Sequence, residues 1–114
     1  MKIEERHAGD VTILEVHGRV TLGEGDIQLR NRILEAIDQG ACKILLHLNG
    51  VSFIDSAGIG ELVAAYTTAK NRNVDLRLCA LSKKLRDLLV ITRLITVFRV
   101  YGTEQEALQA FQEG

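Results

Sequence analysis

The sequence contains no proline and no tryptophan, and aromatic residues make up only 4% of its 114 positions. With no proline, no linker-like composition and no internal repeat, nothing divides the chain, so a single domain spanning residues 1–114 is expected. The scarcity of aromatics argues against a stacking platform for single-stranded nucleic acid. An excess of one charge is also missing: 14 basic side chains face 15 acidic ones, for a net charge of -1. A general nucleic-acid binder carries a marked basic excess, so no direct nucleic-acid partner is expected. Residues 1–55 carry 6 basic and 9 acidic side chains, and residues 56–114 carry 8 and 6.

Cysteine is rare too. Cys42 and Cys79 form no CxxC pair and have no histidine at ligand spacing, so neither a disulfide framework nor a metal site is indicated. Both fall in apolar runs, and buried, reduced thiols are expected. No window approaches the roughly 18 uninterrupted apolar residues of a membrane span. The opening "MKIEERHAGD" has no apolar core of a secretory signal, so a cytoplasmic protein without membrane insertion is expected.

What is present is regular alternation. Residues 2–7 read as a short edge strand, Gly9-Asp10 as a turn, and "VTILEVHG" as a second strand with Val11, Ile13 and either Leu14 or Val16 inward. Asp26 is placed to cap a helix whose Ile27, Arg30, Ile33, Leu34 and Ile37 share a face, and Gly40 to end it. "CKILLHL" is apolar enough for a strand covered on both sides, with Asn49-Gly50 as its closing turn. A second helix carries Ile59, Leu62, Val63, Tyr66 and Ala69 on one stripe and stops near "NRN" at 71–73. "VDLRLCAL" alternates as a strand. Ser82 then caps "KKLRDLLVI", a short strand lies near Val97–Val100, and Thr103 with Glu106 forms a capping-box pattern before Ala107, Leu108 and Phe111. The order β-β-α-β-α-β-α-β-α implies crossovers and a mixed α/β sheet of four or five strands flanked by about four helices.

The chemistry centres on "VSFIDSAGIGELVAAYTTAK", residues 51–70, where an apolar run meets a helix at Asp55-Ser56. A catalytic serine needs a base within reach, yet His7, His17 and His47 all fall on strands or strand ends, and the G-x-S-x-G elbow is absent. No catalytic residue, metal or cofactor is therefore assigned. "GIG" opening a helix hints at a phosphate cradle, but the third glycine and any Gly-Lys-Ser/Thr are missing. The plainest role for Ser56 is a helix cap. That role does not account for Gly58 and Gly60, which each cost about 1 kcal/mol of helix propensity relative to alanine. Glycines there keep the surface low and open to another backbone.

In this context "VSFIDSAGIG", preceded by the strand "KILLHL", resembles the phosphorylation motif of STAS domains, and within them of bacterial anti-sigma factor antagonists. The resemblance extends over "VHGRVTLGEGDIQLRNRI", "LRLCAL", "SKKLRDLLVITRL" and "VFRVYGTEQEAL", nearly the whole chain. It implies the STAS fold and a partner switch with no enzymatic activity of its own. The residue phosphorylated would be Ser56, modified by an anti-sigma factor that is itself a serine kinase. The unphosphorylated form would bind that kinase and free a sigma factor, and a serine phosphatase would reset it. Family members often have serine or threonine where this chain has Ala57, and many have an acidic residue where it has Thr21. The expected partner surface comprises Thr21, Leu22, Asp55, Ser56, Ala57, Gly58, Ile59 and Gly60. The alternative is a STAS subunit of a larger stress-signalling or lipid-transport assembly.

Overall fold

A computed structural model of the chain describes residues 1–23 and 25–114. Five strands form one sheet: β1 (Lys2–Ala8), β2 (Val11–Val20), β3 (Lys43–Ile54), β4 (Asp75–Cys79) and β5 (Val100–Tyr101). Their spatial order is their chain order. The Gly9-Asp10 turn makes β1 antiparallel to β2, and every later pairing is parallel. Each parallel step needs a crossover. Helices α1 (Gly25–Asp38), α2 (Ser56–Asn71) and α3 (Lys83–Ile91) supply them, and α4 (Glu104–Glu113) ends the chain. A single 3-10 turn, Leu94–Thr96, lies between α3 and β5.

Alternate residues of the central strands serve two separate cores. Leu14, Val16, Ile44, Leu46, Leu76 and Leu78 face α1, α2 and α3, packing with Leu29, Ile33, Leu62, Leu85 and Leu89. Val11, Ile13, Leu45 and Cys79 face α4, packing with Ala107 and Phe111. β2 therefore buries both sides: Val11 and Ile13 point one way, and both Leu14 and Val16 point the other. On the α4 face of β4, Arg77 is 1% exposed. Its guanidinium donates to Asp75 Oδ1 (3.0 Å), Asp75 Oδ2 (2.8 Å) and the Tyr101 hydroxyl (3.1 Å), and lies 4.4 Å from the centre of the Phe111 ring.

The structure corrects several expectations. Asn49-Gly50 is not a turn; β3 runs on to Ile54. Its pairing with β2 slips between Glu15↔His47 and His17↔Gly50, and again between Gly18↔Val51 and Arg19↔Phe53. These bulges absorb the extra β3 residues. At Gly50 a Cβ would strike the His17 ring, so glycine answers a close approach there. The inward stripe of α1 is Leu29, Ile33, Ala36 and Ile37, whereas Ile27 is 44% exposed and Arg30 lies at the surface. The cause lies one residue before the expected start: Gly25 packs on the end of β2, where a Cβ would lie 3.0 Å from Val20 Cα. Asp26 is buried and accepts from Gly23 N–H (3.0 Å) and Ile27 N–H (2.8 Å), so it braces the entering loop. Cys42 is exposed, because it precedes the first paired residue of β3; Cys79 is buried and both thiols are free. The last strand is Val100–Tyr101, with Val97 38% exposed outside it. Ser82 and Thr103 cap as expected, accepting from Leu85 N–H and Glu106 N–H at 3.1 Å each.

Candidate functional site

The joint lies where β3 ends at Ile54 and α2 begins at Ser56, at the edge of the sheet where parallel strands end and crossover helices start. Asp55 between them is extended (φ -105°, ψ -173°), which turns its side chain back over the first helical turn. Its Oδ1 accepts from Gly58 N–H at 2.9 Å and its Oδ2 from Leu22 N–H at 3.1 Å. Its own N–H donates to Val20 C=O at 3.4 Å, and its C=O accepts from Ile59 N–H at 2.9 Å. One residue thus ties the end of β2, the loop after it and the start of α2. The Gly58 N–H, then the Leu22 N–H, hold the Asp55 carboxyl below its usual range, so it stays ionised near neutral pH.

The helix cap is therefore Asp55 and not Ser56. Aspartate and serine share the preference for that position, and what decides between them is that β3 continues to Ile54. Ser56 becomes the first helical residue. It is exposed, and among the described residues its hydroxyl takes part in no side-chain hydrogen bond. Its position beside the free N–H groups of the helix start favours added negative charge.

The remaining candidates divide by depth. Leu22 is 77% exposed and Gly60 is exposed, while Thr21, Asp55 and Ala57 are partly so. Gly58 and Ile59 lie beneath them, Ile59 within the main core. A Cβ on Gly58 would strike the Val20 carbonyl and come within 2.6 Å of Ile54 Cγ1, so this glycine lets α2 seat against its own sheet. Nothing lies within 4 Å of a Cβ at Gly60. Two further features had no signal in the spacing of residues. Arg30 of α1 forks onto Glu61 of α2, with Nε 2.9 Å and Nη2 2.5 Å from the carboxylate oxygens, locking the two helices beside the joint. Phe53, 37% exposed, lies between the Arg19 guanidinium (4.8 Å) and the Lys84 ammonium (5.7 Å). His7 on β1 is hydrogen-bonded to Glu5 at 2.7 Å, and His17 on the outer part of β2 lies 3.3 Å from Glu4 and 3.5 Å from Glu15.

The model of the family described as "STAS domain" matches residues 2–107, and the chain belongs to that family. The five-stranded mixed sheet with four helices is the STAS fold. Within the family it falls with the bacterial anti-sigma factor antagonists. It is 27% identical over 109 residues to the anti-sigma F factor antagonist of Paenibacillus polymyxa, covering 95% of this chain and 92% of that protein. It is similar to the solved anti-sigma-factor antagonist (STAS) domain protein of Planctomyces limnophilus, at 30% identity and a TM-score of 0.79, with 95% and 96% of the two chains covered. An anti-sigma factor antagonist structure from Mycobacterium paratuberculosis shares the fold at a TM-score of 0.82 and 21% identity, covering 96% of this chain and 92% of that one.

Proposed function

We propose that this protein is a phosphorylation-controlled partner switch, with Ser56 as the residue modified. The unphosphorylated form binds an anti-sigma factor that is also a serine kinase, and that binding frees a sigma factor. Phosphorylation of Ser56 ends the complex, and a serine phosphatase restores it. The observation that carries this reading is that Asp55 performs the capping, which leaves an exposed Ser56 hydroxyl at a helix start with no structural duty of its own. Related proteins named as anti-sigma factor antagonists support the class of partner.

The docking surface in this reading is Thr21, Leu22, Asp55, Ser56, Ala57 and Gly60, with Gly58 and Ile59 shaping it from below. Leu22 supplies an apolar anchor, and its backbone is held by the same Asp55 carboxylate that caps α2. A phosphate on Ser56 adds about -1.5 to -2 charges and three acceptor oxygens beside that carboxylate. The helix start accommodates them, but the nearby Asp55 charge repels them. A partner then meets two adjacent anionic groups where it had met one.

The test uses the purified chain with its kinase and ATP. Intact mass is expected to gain one phosphate in the wild type and none in Ser56→Ala. Ser56→Asp is expected to keep the wild-type melting temperature and to lose more than about tenfold in affinity, since an unpaired charge desolvated at an interface costs several kcal/mol. Phosphate uptake by Ser56→Ala, or an affinity loss no larger than the stability loss, would refute the assignment.

A further inference from the structure

Six large apolar side chains are strongly exposed among the described residues, and they form two groups in the sequence. Leu22, Ile27 and Phe53 belong to the segments that meet at the Ser56 edge, whereas Val90 (53%), Ile91 (78%) and Val97 (38%) lie at the end of α3 and in the turn after it. The second group has no part in the partner switch. The segment from residue 80 to 99 that carries it holds Lys83, Lys84, Arg86, Arg93 and Arg99 against a single acid, Asp87. All five cations are exposed, and among the described residues none is in an ion pair. Elsewhere the cations are mostly engaged: Arg6, Arg30, Arg32, Lys43, Arg72 and Arg77 each hold a carboxylate.

The cause is the way α3 ends. Leu85 and Leu89 fix its inner face on the core, and Arg93 takes a left-handed conformation (φ 62°) that turns the chain back. Leu94 and Ile95 then pack against the core, and Phe98 is buried. Val90 and Ile91 are left projecting from the last turn, with cations before and after them in the chain.

We propose that the outer face of α3 and the turn after it is a peripheral docking surface for an anionic lipid bilayer. Its chemistry separates this occupant from an acidic protein. Protein interface cores are enriched in aromatic residues and arginine and depleted in lysine. This segment contains two lysines and three arginines; its one exposed aromatic neighbour, Phe53, lies under Lys84 at the start of α3, and Val90 and Ile91 at the other end are aliphatic. Aliphatic tips that enter the acyl boundary below a ring of lysine and arginine suit an anionic membrane surface. No helix of the described chain is long and apolar enough to cross a membrane, so the contact is with the surface. α3 starts beside Phe53, and its nine residues carry Val90 and Ile91 about 12 Å away, so the apolar tips lie off the joint.

The test is vesicle co-sedimentation of the full chain. Binding is expected to vesicles of phosphatidylcholine with about 30% phosphatidylserine, not to phosphatidylcholine alone, and to fall away between about 50 mM and about 500 mM salt. Lys83→Ala/Arg86→Ala is expected to weaken it by about 25-fold, roughly fivefold per charge removed. Val90→Gln/Ile91→Gln, at exposed helical positions, is expected to weaken it by at least about tenfold without lowering the melting temperature. Absence of binding to the anionic vesicles overturns the proposal, and so does binding unaffected by Val90→Gln/Ile91→Gln. Binding of soluble polyglutamate in place of vesicles, lost in the same variants, overturns it in favour of an acidic protein partner. None of these measurements involves Ser56, so their outcome is separate from that of the switch.

Discussion

Gly58 and Gly60 lie two residues apart in the same helix, yet alanine should act oppositely at each. In a helix interior alanine is favoured over glycine by about 1 kcal/mol. At Gly60 a Cβ enters open space, so Gly60→Ala should keep most of that gain, about 0.5–1 kcal/mol. At Gly58 the new methyl meets the Val20 carbonyl and comes within 2.6 Å of Ile54 Cγ1 and 3.0 Å of Val20 Cγ1. A backbone oxygen at the end of a paired strand cannot swing away as a side-chain tip can. The overlap must be relieved by lifting α2 from the sheet, and overpacking of this kind costs about 1–3 kcal/mol. Taking the upper end for a backbone obstacle and subtracting the propensity gain leaves Gly58→Ala less stable by about 2 kcal/mol. At about 4 °C per kcal/mol for a chain of this size, thermal unfolding should shift down by about 8 °C for Gly58→Ala and up by about 2–4 °C for Gly60→Ala. Urea midpoints give an independent reading of the same signs. A Gly58→Ala protein as stable as wild type would show that Val20 does not constrain α2, and the account of that glycine would fail.

Arg77→Ala should destabilise by about 3 kcal/mol, because it empties the space of a fully buried side chain packed on Phe111 and joined to Asp75 and Tyr101; Arg77→Met, which keeps the packing on Phe111, should lose less, and equal urea midpoints for the two variants would contradict this. Native protein treated with a thiol reagent should label rapidly at Cys42 only, since burial pushes the Cys79 thiol up to about 12; fast modification of two thiols would refute the burial of Cys79. The hydrogen bond from Arg6 holds the Glu104 carboxyl below its ordinary value of 4.5, and that from Arg30 does the same for Glu61. Both depressions stabilise the fold fully above about pH 4.5, and that stability is lost as pH falls through the lower folded values. Urea midpoints should therefore be flat from about pH 7 to 5 and drop below, with a shallower drop in Glu104→Gln; an equally steep drop there would exclude Glu104 as a contributor.

The order of elements was legible because the chain alternates short apolar runs with helical stripes and punctuates them with turn and cap residues. The Asp55-Ser56 joint was legible for the same reason: an apolar strand cannot pass into an amphipathic helix without a capping residue. The errors share a cause in contacts remote in sequence. Asn49-Gly50 has the local chemistry of a turn, but pairing with β2 carries the strand through it, and the glycine serves His17. The face of α1 is set by Gly25 against the end of β2, which periodicity cannot show. Gly58 looked like an opening for a partner because the nearness of Val20, far back in the chain, is invisible in the spacing of residues. Cys42 looked buried because composition does not reveal that β3 begins only at Lys43.

The sheet works as a partition. Val11, Ile13, Leu45, Cys79, Ala107 and Phe111 pack on the α4 side, and the larger cluster that supports α2 and the joint lies wholly across it. Detachment of α4 would wet only the smaller cluster and leave the footing of Ser56 dry. The two sides can therefore diverge under separate selection. Substitutions that loosen, lengthen or re-face the terminal helix change what that side presents without re-tuning Asp55, Leu22 or the start of α2. A lineage could then acquire new attachments on one side of the sheet while it keeps the Asp55-Ser56 joint unchanged on the other.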